Sequence, residues 1–253
     1  MIFVIGALVG FFASFISTLL GGGAGLIAVP VFYYVIVHNF SGEYAMQIAI
    51  ATCCGMSIFL STVAVYKHSK NKTITFDKHL IRYLIFFFIG AVIGALLVKH
   101  LDTQLIKRIF VILLFGSGFW MLLHKDGSLL KMPRLLEYIS SSICGVFSVL
   151  LTSSTFATIL FVKIGMNIKK AISFTSFCVL INSIASSFIL VWGINIDTPQ
   201  TFGYMSIPLL VSSAPFAIVG SLVAVKFLGV LSHKILHYMF ITLMFISAII
   251  MCF

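Results

Sequence analysis

"FISTLLGGGAGLIAVPVFYYVIV", Phe15 to Val37, sets three consecutive glycines, an alanine and a fourth glycine between two apolar runs, with Pro30 five residues beyond Gly25. Glycine adopts open and left-handed backbone conformations without a steric penalty and is a poor helix former, so Gly21, Gly22, Gly23 and Gly25 read as a helix break. The surroundings make that break informative. At membrane depth, backbone without regular hydrogen bonding is tolerated only where protein or a water-filled cavity satisfies it. A break in the greasiest part of the chain is therefore expected to line something.

Composition supplies the membrane. The chain has 253 residues, 61% hydrophobic and only 9% charged, with a mean hydropathy of +1.19. That leaves too little polar surface to coat a soluble globule, and the fold class expected is an all-α polytopic membrane protein. No Lys or Arg precedes Lys67, so the N-terminus lacks the basic region of a cleavable signal peptide and Met1 to Leu20 is read as mature protein. The formal charge of +10 sits in short gaps between apolar segments rather than along one polar face, which argues for topology and against nucleic acid. Cys53, Cys54, Cys144, Cys178 and Cys252 lie in apolar segments without metal-ligand or disulfide spacing. No nucleophile with a base stands out, so neither catalytic residues, nor a metal, nor a cofactor is assigned and an enzyme is not expected. "GAGLIA" (Gly23 to Ala28) formally fits a dinucleotide-binding pattern, but that pattern needs a preceding strand, and here apolar membrane segments flank it.

Ten apolar segments follow one another, at about 2–20, 24–38, 45–66, 80–99, 104–123, 136–151, 154–165, 170–192, 203–225 and 234–253. Most approach the ~20 residues that span a bilayer as a helix. The segments after Gly25, before Thr152 and after Ser154 are shorter. "GFFASFISTLLGGGAG" (Gly10 to Gly25) aligns with "GVFSVLLTSSTFA" (Gly145 to Ala157), and "AIATCC" (Ala49 to Cys54) aligns loosely with "AISFTS" (Ala171 to Ser176). The reading is two repeats of about five segments, 1–124 and 136–253, joined by a cytoplasmic linker at 125–135, with short or broken helices at the repeat interface. Charge adds the orientation. The basic stretches 67–82, 124–134, 163–170 and 226–234 fall on one side by alternation, and the Lys/Arg-free loops 38–44 and 193–203 on the other. The link with Lys99, Lys107 and Arg108 is the exception, basic yet outside. Corresponding loops land on opposite sides, so the repeats are inverted.

These residues also carry a resemblance. "SFISTLLGGGAGLIAVPVFYY", the "AIATCC" segment and "VYKHSKNKTITFDKHL" resemble the TauE/SafE family of membrane permeases, through Gly21, Gly23, Gly25, Val29, Pro30, Ala49, Thr52, Asn71 and Asp77. The resemblance implies a permease of sulfite or organosulfonates in a bacterial cytoplasmic membrane. The second half departs from the family pattern, with Thr152, Ser153, Ser154 and Thr155 where a second glycine cluster is common.

An opened helix frees N–H groups at the start of the next one, where the macrodipole favours negative charge, and such a terminus binds an oxyanion without a buried cation. The candidate substrate-binding set is Gly21, Gly22, Gly23 and Gly25 in the first half and Thr152, Ser153, Ser154 and Thr155 in the second. Thr52, Cys53, Thr175 and Ser176 join it from the aligned segments. Asn182, Ser183, Ser186 and Ser187 form a polar stripe at helical spacing that suits either interhelical hydrogen bonding or pore lining, and Asn182 is kept as a candidate. All six carboxylates, Glu43, Asp77, Asp102, Asp126, Glu137 and Asp197, fall in loops or near segment ends, which disfavours a carboxylate-driven cation antiporter. His237 reads as an interfacial histidine. The function expected is a secondary transporter of a small sulfur-containing oxyanion, with a coupling ion and membrane lipid as further partners. The alternative is a non-transporting accessory or assembly protein whose glycine break is a packing device.

Overall fold

The computed structural model describes residues 2–20, 22–40, 42–70, 78–123, 133–196, 198–227 and 233–252. Gly21, Asn71, Asp77, Asp126, Asp197 and most of the 125–135 linker lie outside these, as does the side chain of His237.

Among the described residues ten helices occupy the ten apolar segments: α1 (Ile2–Leu20), α2 (Ala24–Asn39), α3 (Ala45–Lys70), α4 (Lys78–His100), α5 (Thr103–Leu123), α6 (Arg134–Leu150), α7 (Thr155–Lys163), α8 (Ile168–Val191), α9 (Ile207–Phe227) and α10 (His233–Cys252). Among the described residues six of them, α1, α3, α4, α5, α8 and α9, are long and apolar enough to cross a membrane. The helices α2, α6 and α7, at 16, 17 and 9 residues, are the short ones. One segment is corrected: residues 203–206 belong not to the ninth helix but to a hairpin of β1 (Thr201–Phe202) and β2 (Met205–Ser206). The tight turn at Gly203, φ 55°, ends the extended loop before α9 begins.

Helix pairing follows the repeat. Helix α1 packs on α9, and its counterpart five helices on, α6, packs on α4; α3 packs on α8, α5 on α10, and α4·α8 mirrors α9·α3. Small residues set the closest pairs. Gly6 and Gly10 of α1 face Ser212 and Ser213, and Gly220 of α9 faces the Phe11 backbone. In the other pair Gly90 faces the Ser142 backbone and Gly145 the Phe87 backbone. Residue numbers rise together along each interface, so α1 runs parallel to α9 and α6 parallel to α4.

The loops gather at two ends. At the first, Gln47 Nε2 donates to the Leu101 carbonyl at 2.8 Å, Thr103 donates to the Glu43 carbonyl, Lys99 Nζ donates to the Trp192 carbonyl at 3.2 Å, and the Tyr44 and Tyr204 rings lie 5.6 Å apart. At the second, His68 Nδ1 and Ser173 Oγ are 3.0 Å apart, Tyr83 donates to Glu137, and Phe161 stacks edge-on against Tyr83 and Phe174. Among the described residues the grouping agrees with the two sides read from charge, including the basic link at 99–108. The geometry is compatible with inverted repeats.

It follows that α1–α2 is a hairpin entering the bundle from the first end and α6–α7 a hairpin entering from the second. Helix α7, nine residues long, needs only about 13 Å to return from the tip to the second end, so that tip stays inside the protein.

Candidate functional site: two helix breaks that meet

Both tips are built from unusual backbone. Gly22 has φ 144° and Gly23 φ 103°, values that a side chain rarely tolerates. The Gly22 N–H reaches back to the Ser17 carbonyl at 2.8 Å, closing α1 with a wide turn, and Gly23 then caps α2 in the left-handed region. In the other hairpin Thr152 is left-handed at φ 44°, a conformation that costs a residue with a Cβ roughly 1–2 kcal/mol. Its N–H donates to the Val149 carbonyl at 3.2 Å, and Ser154 caps α7 without a side-chain hydrogen bond.

The tips touch. The Gly25 N–H donates to the Thr152 carbonyl at 3.3 Å. A Cβ on Gly25 would land on Thr152 Oγ1 and come within 2.5 Å of the Leu151 carbonyl. At Gly22 it would meet Ser154 Oγ at 2.6 Å and Thr155 Oγ1 at 3.1 Å, and at Gly23 the Phe240 ring at 2.8 Å. The glycines thus bring the first break against the polar turn of the second, with α10 closing one flank. Among the described residues nothing accepts from the N–H groups of Gly23 and Ala24, whereas that of Gly25 is engaged.

The hydroxyls divide sharply. In an apolar setting serine and threonine usually satisfy themselves on the carbonyl one turn back. Thr175 does so on Ala171 and Ser176 on Ile172, both at 2.8 Å. Thr52 donates to Ile48 at 2.7 Å and accepts from the Ser206 N–H at 3.0 Å, which pins the hairpin onto α3. Asn182 donates to Ser148 of α6 and accepts from Ser186 at 2.9 Å, so of its two readings the interhelical one has contacts behind it. Ser153 Oγ and Thr155 Oγ1 are 3.4 Å apart. Thr152, only 9% exposed, has the Cys53 thiol beside it but no partner for Oγ1 at hydrogen-bond geometry; among the described residues Ser14 and Ser187 are the other buried hydroxyls so left.

Three contributors escaped the sequence reading. Pro30 cannot donate to the Leu26 carbonyl, and Ser247 of α10 donates to that orphan instead. Phe240 covers Gly23, and the Leu151 carbonyl faces Gly25. Ser247 and Phe240 lie more than 200 residues from their targets, where no local pattern points; Leu151 sits beside a break that the alignment did mark.

Apolar spans, internal breaks and opposed hairpins define an integral membrane protein of the helical class with discontinuous helices. The sequence profile of the sulfite exporter TauE/SafE family matches residues 6–251, and the chain belongs to that family. It is 26% identical over 214 residues to a probable membrane transporter protein of Haemophilus influenzae, covering 79% of each chain. A probable membrane transporter protein of Methanocaldococcus jannaschii is 23% identical over 114 residues, 45% of this chain and 42% of that protein, so the matched part spans less than half of that relative. No solved structure matches.

Proposed function

We propose that this chain is a secondary transporter that moves a small sulfur-containing oxyanion, such as sulfite or an organosulfonate, by alternating access to the place where the two hairpin tips meet. The repeats 1–124 and 136–253 would rock about that point, in a bacterial cytoplasmic membrane, with or without a coupling ion. The observation that carries the reading is the meeting of two helix breaks from opposite ends with donors that have no acceptor among the described residues: the Gly23 and Ala24 N–H groups and the Thr152 hydroxyl. Gly22 supplies open backbone, and Ser153, Ser154 and Thr155 supply further donors. Family membership and the names of the two relatives support transport. Gly25 takes a different part, as the close contact that holds the tips together. Thr52 and Cys53 back the site from α3, Asn182 ties α8 to α6, and the Thr175 and Ser176 hydroxyls bond within α8.

The close fit of Gly25 on Thr152 favours a second reading, in which the break only packs. Purified protein in liposomes, offered a panel of radiolabelled anions, separates the two. The transporter accumulates at least one sulfur oxyanion above protein-free vesicles, and the packing protein accumulates none.

A further inference from the structure

The tips offer an anion neutral donors and no counter-charge. Residues 2–37, 45–66, 138–162 and 171–196 contain no Asp, Glu, Lys, Arg or His, and they supply both hairpins and the two helices, α3 and α8, packed between the halves. The nearest ionisable groups along these elements are distant. Lys163 is eight residues beyond Thr155, about 12 Å along α7, and His38 is thirteen beyond Gly25, about 20 Å along α2. Lys107 lies over the Tyr33 ring, 5.3 Å from its centre, and Tyr33 is again about 12 Å along α2 from Gly25. Lys67 and His68 lie at the far end of α3, and Glu43 precedes it. On α10, His237 precedes Phe240 by one turn. The N-termini of α2 and α7 would be unremarkable alone. What makes them point to a ligand is Thr152 Oγ1, buried, with the neutral Cys53 thiol beside it but no partner at hydrogen-bond geometry among the described residues, and set directly over Gly25 in the first turn of α2.

We infer that the site formed by Thr152, Gly23, Ala24 and the start of α7 takes its substrate as a monoanion and rejects the corresponding dianion. This deepens the transport reading and rests on it. The cost of taking an ion out of water rises with the square of its charge, so a dianion costs about four times as much as a monoanion of the same size. Helix ends and hydroxyls offset charge in part, and these elements hold no cation to offset the larger cost of a second one. A divalent acid such as sulfite would then cross in its singly protonated form. Its proton leaves it on the far side by ordinary dissociation, so a proton crosses with each anion and no carboxylate relay within the spans is required.

Initial rates of uptake into liposomes holding the purified full chain test this, with labelled inorganic sulfite, methanesulfonate, which stays a monoanion, and sulfate, which stays a dianion. Between one pH unit above and one below the second pKa of sulfite, its rate at fixed total concentration rises roughly tenfold, tracking the monoanion fraction. Methanesulfonate changes less than about twofold over the same range. Sulfate stays at background, sulfite uptake acidifies the vesicle lumen, and His237→Asn keeps the same pattern. A sulfite rate that is flat or rises with pH, or sulfate carried as fast as methanesulfonate, overturns the inference while leaving a transporter. Loss of the pH dependence in His237→Asn assigns it to the protein and overturns the inference likewise. Uptake of none of the three overturns the transport reading on which it stands.

Discussion

Gly25 and Thr152 show how much one residue pair decides. The glycine lets the first turn of α2 lie against Leu151 and Thr152, and the hydrogen bond from its N–H to the Thr152 carbonyl fixes the approach. Gly25→Ala should therefore destabilise the detergent-solubilised protein by about 1–3 kcal/mol, the usual cost of overpacking, read as a fall in thermal midpoint. Adding Thr152→Ala should restore only part of it, because the Leu151 carbonyl, 2.5 Å from the new Cβ, is backbone and stays. Full stability in the single variant would mean that the tips are not in contact. The sequence made Gly22 and Gly23 legible as a break, since left-handed backbone is what glycine is used for. The part played by Gly25 was not legible, because it depends on a residue 127 positions away.

Among the elements, the lengths of the helices were readable and their partners were not. Apolar run length locates α1 to α10 to within a few residues, because hydrocarbon demands long uninterrupted helices. The hairpin at 201–206 was missed because "TFGYMS" carries no charge and runs without interruption into the apolar helix that follows it. Partner choice lies in the small residues. A Cβ at Gly145 would strike the Phe87 carbonyl and one at Gly220 the Phe11 carbonyl, whereas Gly116 has nothing within 4 Å. Gly145→Ala and Gly220→Ala should each push a parallel pair apart and lower the thermal midpoint in detergent, by an amount corresponding to roughly 1–3 kcal/mol. Gly116→Ala should be neutral within about 0.5 kcal/mol. Equal tolerance at all three positions would contradict the pairing of α4 with α6 and of α1 with α9.

For the whole molecule, the two ends assembled by contacts coincide with the two sides separated by charge. The most basic loop, 67–82, and strict alternation from it were enough to sort them; charge alone was not, since the link with Lys99, Lys107 and Arg108 is basic and lies on the other side. The sorting becomes a membrane orientation if single cysteines at Ser69 and Asn195, in a chain stripped of its five native ones, react with an impermeant thiol reagent from opposite sides; labelling from one side would end the inverted-repeat reading. What charge and length could not convey is that the tips of the two hairpins touch, which takes coordinates. The central claim is that this contact forms one anion site shared by both halves. Hydrogen bonds to charged groups contribute about 1.5–3 kcal/mol each, so losing one donor weakens binding by roughly tenfold or more. The direct measurement is the dissociation constant of a transported anion for purified protein carrying Thr152→Val, Ser154→Ala or Thr155→Val, changes that remove a hydroxyl and keep the shape. The account predicts a loss of about tenfold or more for Thr152→Val and for at least one of the other two; unchanged affinity in all three folded variants would contradict it.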